Sequence, residues 1–167
     1  MISAPREDVF DFISDIAGRV AWNDHYLKDF RLTRVNPVGV GAGAAFLIDA
    51  PLFPQRAESQ VIAADRPRLL VERARIGRWG RTTGWAEWEL ADDYGSTEVR
   101  LALWSEPGIR WDAFKESLGA RGWLKRQARG SLERLRQVFE ERPERPLARA
   151  TVAGYEPLKA ARFGYHA

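Results

Sequence analysis

Apolar residues recur along this chain at two different periods, helical at both ends and alternating in the middle. Near the start, Ser3-Ala4-Pro5-Arg6-Glu7-Asp8 supplies a helix cap, an early proline and acidic first-turn residues. Val9, Phe12, Ile13 and Ile16 then follow at helical spacing, with Phe10 widening the stripe. A second short helical piece is predicted over Ala17 to Trp22, with Gly18 marking the break between the two. From Asp29 the period changes to two, and turn residues separate short runs, which is the pattern of an antiparallel meander. Six strands are predicted: Asp29 to Val35, Ala44 to Ala50, Arg56 to Ala64, Leu69 to Ile76, Thr82 to Leu90 and Thr97 to Ser105. After Glu106-Pro107-Gly108 the helical period returns. Leu124, Ala128, Leu132, Leu135 and Phe139 form one apolar stripe. Ahead of it, Trp111, Phe114 and Leu118 make a shorter stripe that falls out of phase near Gly119 and Gly122, where a kink or a break is expected. Pro143 and Pro146 end the helix. The division is therefore a domain over residues 1–142 and a C-terminal tail over 143–167, lying over the domain or partly disordered.

This order of elements, with certain residues, resembles the START-like superfamily, also called SRPBCC or polyketide cyclase/dehydrase-like. The segment Ile2 to Phe10 is similar to that family's junction between a first strand and the first helix. Trp22-Asn23-Asp24-His25-Tyr26 resembles its Trp-containing segment after the short helix, and Asp65-Arg66-Pro67-Arg68-Leu69-Leu70 its turn before the middle strand. Gly95-Ser96-Thr97-Glu98-Val99 looks like the turn into the last strand, and Ser131 to Arg136 like the end of the long helix. The resemblance covers about Ser3 to Arg142. It implies an α+β helix-grip fold, a curved antiparallel sheet of six or seven strands wrapped around a long C-terminal helix. A first strand has almost no room after Met1. A start chosen too far downstream, a truncated chain and a sheet with one strand fewer all account for that, and a missing upstream segment is the favoured reading.

Composition narrows the classes further. The chain has 167 residues and is 45% hydrophobic, enough for one domain with a real core. It has no cysteine, so disulfides and thiolate metal sites are excluded. No apolar run reaches the roughly 20 residues that span a bilayer, so no membrane span is expected and a cytoplasmic location is the default. The net charge of +3 is too small to argue for nucleic acid. Basic residues do cluster from Gly119 to Arg149, as Arg121, Lys125, Arg126, Arg129, Arg134, Arg136, Arg142, Arg145 and Arg149. Such a strip reads either as a solvated helix face or as a surface for phosphate, anionic lipid or an acidic partner.

Seven tryptophans are spread over two strands, a turn, the short helix and the long helix. Large aromatics in a closed sheet either fill the core or line a pocket. Strand parity turns Trp88 inward with Ala86 and Leu90, and Trp85 outward with Glu87 and Glu89; Trp104 is either on the outward face of the last strand or re-aimed by a bulge near Glu106. Leu69, Val71, Arg73 and Arg75 share one face, as do Arg56, Glu58, Gln60 and Ile62. If that face is interior, Glu58 and Arg73 form a buried pair that orients a polar ligand group; otherwise they are surface charges. A histidine ordinarily titrates near neutrality, so His25, beside Asp24, is a candidate acid or base together with Arg73. The other histidine, His166, lies far away in the tail, so no metal site is expected, and no cofactor motif is present.

The function expected is binding of a small hydrophobic ligand between the sheet and the C-terminal helix. The resemblance implies lipids, polyketides or aromatic metabolites as ligand classes. Trp22, His25, Glu58, Arg73, Trp88, Phe114, Leu118 and Trp123 are the expected contacts. Two alternatives remain: an enzyme of the polyketide cyclase or aromatase kind, and a protein-interaction module using the basic helix face. Neither ligand identity nor oligomeric state follows from the sequence.

Overall fold

The structure is a computed structural model, and it describes residues 1–51, 53–77, 79–106, 108, 121–141 and 146–154. Helix α1 (Arg6–Ser14) buries Val9, Phe10 and Ile13, the stripe its spacing predicts. It ends at Asp15, whose backbone is extended and whose side chain accepts from the Ala17 N–H at 3.2 Å. The break therefore sits at Asp15 rather than at Gly18. Gly18 lies inside the 3-10 turn that follows (Ile16–Arg19), which runs directly into the short helix α2 (Val20–Asn23).

Six antiparallel strands then form one sheet in chain order: β1 (Leu27–Leu32), β2 (Gly43–Ile48), β3 (Gln55–Asp65), β4 (Leu69–Ile76), β5 (Thr82–Asp93) and β6 (Ser96–Glu106). The first strand lies earlier than its alternation predicts. Its ladder starts with Leu27 opposite Ile48, and Asp29, at φ 49°, forms an irregularity before Arg31 rejoins opposite Ala45. Tyr94 and Gly95 both have positive φ and close a two-residue hairpin between Asp93 and Ser96, the turn geometry whose twist matches paired strands. Ile2 bridges to Thr97 through two backbone hydrogen bonds of 2.9 and 2.8 Å.

Helix α3 (Arg121–Glu140) places Leu135 in the core, with Leu132 and Phe139 packed against it. Phe139 meets Phe12 edge-on at 5.3 Å, so the two terminal helices share one apolar seam. Full burial of an aromatic side chain contributes about 1.5–3 kcal/mol, and each of these half-buried rings supplies part of that. Residues 146–154 lie over the domain. Ala150 N–H donates to Ala17 O, Leu32 N–H donates to Thr151 O, both at 2.8 Å, and Arg149 pairs with Asp15 at 2.6 Å. This segment satisfies part of the otherwise open edge of β1.

Candidate functional site

The register decides which side chains face α1, α2 and α3. The inner row pairs Ala44 with Ser59 and Phe46 with Ala57. It then pairs Val61 with Glu72, Leu70 with Trp88, Ala86 with Leu103 and Leu90 with Val99. Part of this face is closed: Ala44, Val61, Leu70, Trp88 and Leu90 are buried. The other part is apolar yet only half-buried, as Phe46, Ile48, Ala74, Ile76, Ala86, Leu101 and Leu103. Inward apolar surface that remains open is what a close-packed core lacks and a ligand cleft requires.

At the closed end stands an ion pair. Arg19, on the 3-10 turn, donates through Nη1 to both oxygens of Glu72 at 2.6 and 2.8 Å, and through Nη2 to Ile13 O at 3.2 Å. The Trp88 indole N–H donates to Glu72 Oε1 at 3.1 Å. The Arg19 guanidinium lies 5.6 Å from the ring centroids of both Trp22 and Trp88, which meet edge-on at 5.6 Å. Arg19 and Glu72 are 7% and 3% exposed, so the pair is held by mutual attraction plus the hydrogen bonds from Arg19 Nη1 and the Trp88 indole to the carboxylate, which is how buried charges persist.

A second polar group lies under α3. His25 Nε2 donates to the Gln127 carbonyl at 3.3 Å, which fixes the neutral tautomer and leaves Nδ1 buried without a partner among the described residues. Gly130 makes room for this ring, since a Cβ there would come within 3.3 Å of Nε2. Burial pushes the His25 pKa below its ordinary value; the Gln127 bond opposes this, Arg134 and Lys28 add to it and Asp24 opposes it. Tyr26 stacks obliquely on His25 at 4.8 Å and meets Trp123 edge-on at 6.0 Å. Its phenol is pushed above the ordinary tyrosine value by burial, against a smaller opposing effect of its hydrogen bond to Ser131.

The sequence candidates divide accordingly. Trp22 and Trp88 form the closed floor, and His25 and half-buried Trp123 stand on the helix side. Phe114 and Leu118 lie outside the described residues. Glu58 and Arg73 are corrected: both are exposed on the outer face, and they are not cross-strand partners, since Glu58 stands opposite Arg75 and Arg73 opposite Gln60 and Trp85. The inner face of β4 is Leu70, Glu72, Ala74 and Ile76, which carries one charge where the alternative carries two. That asymmetry was a legible signal for the inner face, and a lone inward Glu requires a cation such as Arg19. Trp85 and Trp104 stack face to face on the outside at 6.0 Å, as parity predicts. Among the described residues no group of three or more His, Asp or Glu could hold a metal, and no helix is long and apolar enough to cross a membrane.

A curved six-stranded sheet gripping a C-terminal helix defines an α+β helix-grip domain. The chain belongs to the family described as polyketide cyclase / dehydrase and lipid transport, whose model matches residues 1–140. Solved structures share the fold at low identity. TTHA0849 from Thermus thermophilus is 15% identical with a TM-score of 0.66, the match covering 86% of this chain and 94% of that one. The KanY protein, solved by NMR, is 18% identical with a TM-score of 0.65, covering 83% and 92%. Ara h 8.0201 is 9% identical with a TM-score of 0.59, covering 84% and 93%. No curated protein is similar enough in sequence to serve as a relative.

Proposed function

We propose that this protein binds a small hydrophobic ligand, a lipid, polyketide or aromatic metabolite, between the inner face of the sheet and α3. The observation that carries this reading is the half-open apolar surface that includes Phe46, Ile76, Ala86, Leu101 and Leu103, on a face closed elsewhere by Val61, Leu70, Trp88 and Leu90. In this reading Trp22 and Trp88 close the floor, and Trp123, Tyr26 and His25 form the wall on the helix side. Apolar contact supplies the affinity, at about 25 cal/mol per Å² of surface removed from water, and the phenol of Tyr26 supplies a polar handle.

Family membership supports the same reading, since the family's description joins polyketide chemistry and lipid transport. A cyclase-type reaction is the weaker alternative. With Arg73 outside the sheet it rests on His25, whose Nε2 is already engaged by Gln127. Titration with Nile red, an uncharged fluorophore that brightens in apolar surroundings, tests the binding reading. The native protein should enhance its emission, and Ala86→Phe, which fills the open half, should weaken binding at least tenfold with the fold intact. Absence of binding, or equal binding by the variant, would refute it.

A further inference from the structure

The outer face of the sheet carries a concavity of its own, on the side opposite α3. One ladder row runs Arg31, Ala45, Glu58, Arg75 across β1 to β4, and Arg56 stands beside it opposite Leu47. Ala45 is the short member of the row. The longer side chains around it therefore wall a hollow of about 520 Å³, to which Asp29 and the turn residues Gly77, Trp79 and Gly80 contribute. Gly80 has a positive φ of 58°, and a Cβ there would touch the Arg75 side chain at 3.4 Å. The turn thus folds down onto the Arg75 stem and holds Trp79, 69% exposed, at the rim.

Several exposed arginines reach carboxylates, as Arg66 does with Asp11, Arg68 with Asp65, Arg100 with Glu98 and Arg136 with Glu133; those gathered around this hollow do not. Among the described residues Arg31, Arg56 and Arg75 make no ion pair or side-chain hydrogen bond, although Glu58 is the ladder neighbour of Arg75. Three guanidiniums face two carboxylates, Asp29 and Glu58, so the hollow carries an excess positive charge. A guanidinium fork matches the two oxygens of a carboxylate or phosphate, and an exposed indole offers a flat apolar face beside it.

We propose that this hollow is a binding site for a small aryl oxyanion, an aryl carboxylate or aryl phosphate. Its charged end lies among Arg31, Arg56 and Arg75, and its ring lies against Trp79. The charged row of the site lies on the opposite face of the sheet from the inner cleft, and the strand segments at Phe46 and Ala57 border both. The test follows the backbone amide signals of Gly77 and Gly80 by NMR during titration with naphthoate, naphthyl phosphate, inorganic phosphate and uncharged naphthalenemethanol. Either aryl oxyanion, or both, should shift these signals, and which of them binds more tightly identifies the headgroup. Inorganic phosphate and naphthalenemethanol should each bind at least tenfold more weakly. Arg75→Gln and Trp79→Ala change exposed side chains, and each should weaken the aryl oxyanions at least tenfold with an unchanged melting temperature. Ala86→Phe, directed at the inner cleft, should leave this binding unchanged. No shift with either aryl oxyanion, equal binding of naphthalenemethanol, or full affinity in both outer-face variants would overturn the proposal; loss of binding in Ala86→Phe alone would reassign it to the inner cleft.

Discussion

Removing the Glu72 carboxylate should be among the most damaging single changes available in this domain. Glu72→Leu would leave the Arg19 guanidinium buried with only the Ile13 carbonyl as acceptor, and would strip the Trp88 N–H of its partner. Breaking one side of a buried pair costs about 3–5 kcal/mol. The orphaned Trp88 N–H adds about 1–3 kcal/mol, while the two indole faces beside Arg19 offset about 0.5–2 kcal/mol. A net loss of about 4 kcal/mol corresponds to roughly 8–16 °C in melting temperature for a domain of this size. The double variant Arg19→Met/Glu72→Leu removes both charges and should recover most of that loss, because replacing a buried pair by apolar side chains is close to neutral or stabilising. Urea unfolding of the native protein, both single variants and the double variant gives the coupling energy directly. If Glu72→Leu alone cost less than about 1 kcal/mol, or if the double variant were as unstable as the worse single, the pair would not be the closed polar anchor described.

The remaining predictions concern α3 and its contact with His25. Because the folded-state pKa of His25 is depressed, the unfolded chain binds its proton more readily. This contribution to stability is therefore present above the ordinary histidine pKa near 6.5 and declines as pH falls through that value toward the folded pKa. Urea unfolding at several pH values should show this loss shrinking in His25→Gln, and an identical pH response would contradict the assignment. Gly122→Ala meets nothing within 4 Å and should stabilise α3 by up to about 1 kcal/mol. Gly130→Ala should gain less, because its Cβ would press on His25, and the shortfall should vanish in a His25→Ala background. A thermal double-mutant cycle reads this out, and equal gains in both backgrounds would show that Gly130 does not seat the histidine.

Much of the architecture was legible because period reports burial. The stripes Val9–Ile13 and Leu132–Phe139 point to the core, and alternation located all six strands to within a few residues. Parity also placed Trp88 inside and Trp85 and Trp104 outside, since a single register error would have exchanged them. Parity gives two faces without saying which is inner, however, and β3 and β4 show the consequence. Arg73 and Glu58 were candidates for the interior, whereas the partner that makes an interior charge tolerable, Arg19, belongs to a turn 53 residues from Glu72.

The sequence by itself determined the order of helices and strands and the apolar stripes, because these depend on local periods. Only the tertiary structure decided that Glu72 rather than Glu58 faces inward, that Gly130 seats His25, and that three outer arginines surround Ala45. Each of those depends on which distant side chains the folded sheet brings within a few ångströms, and Coulomb and hydrogen-bond energies are set by that distance and not by separation along the chain.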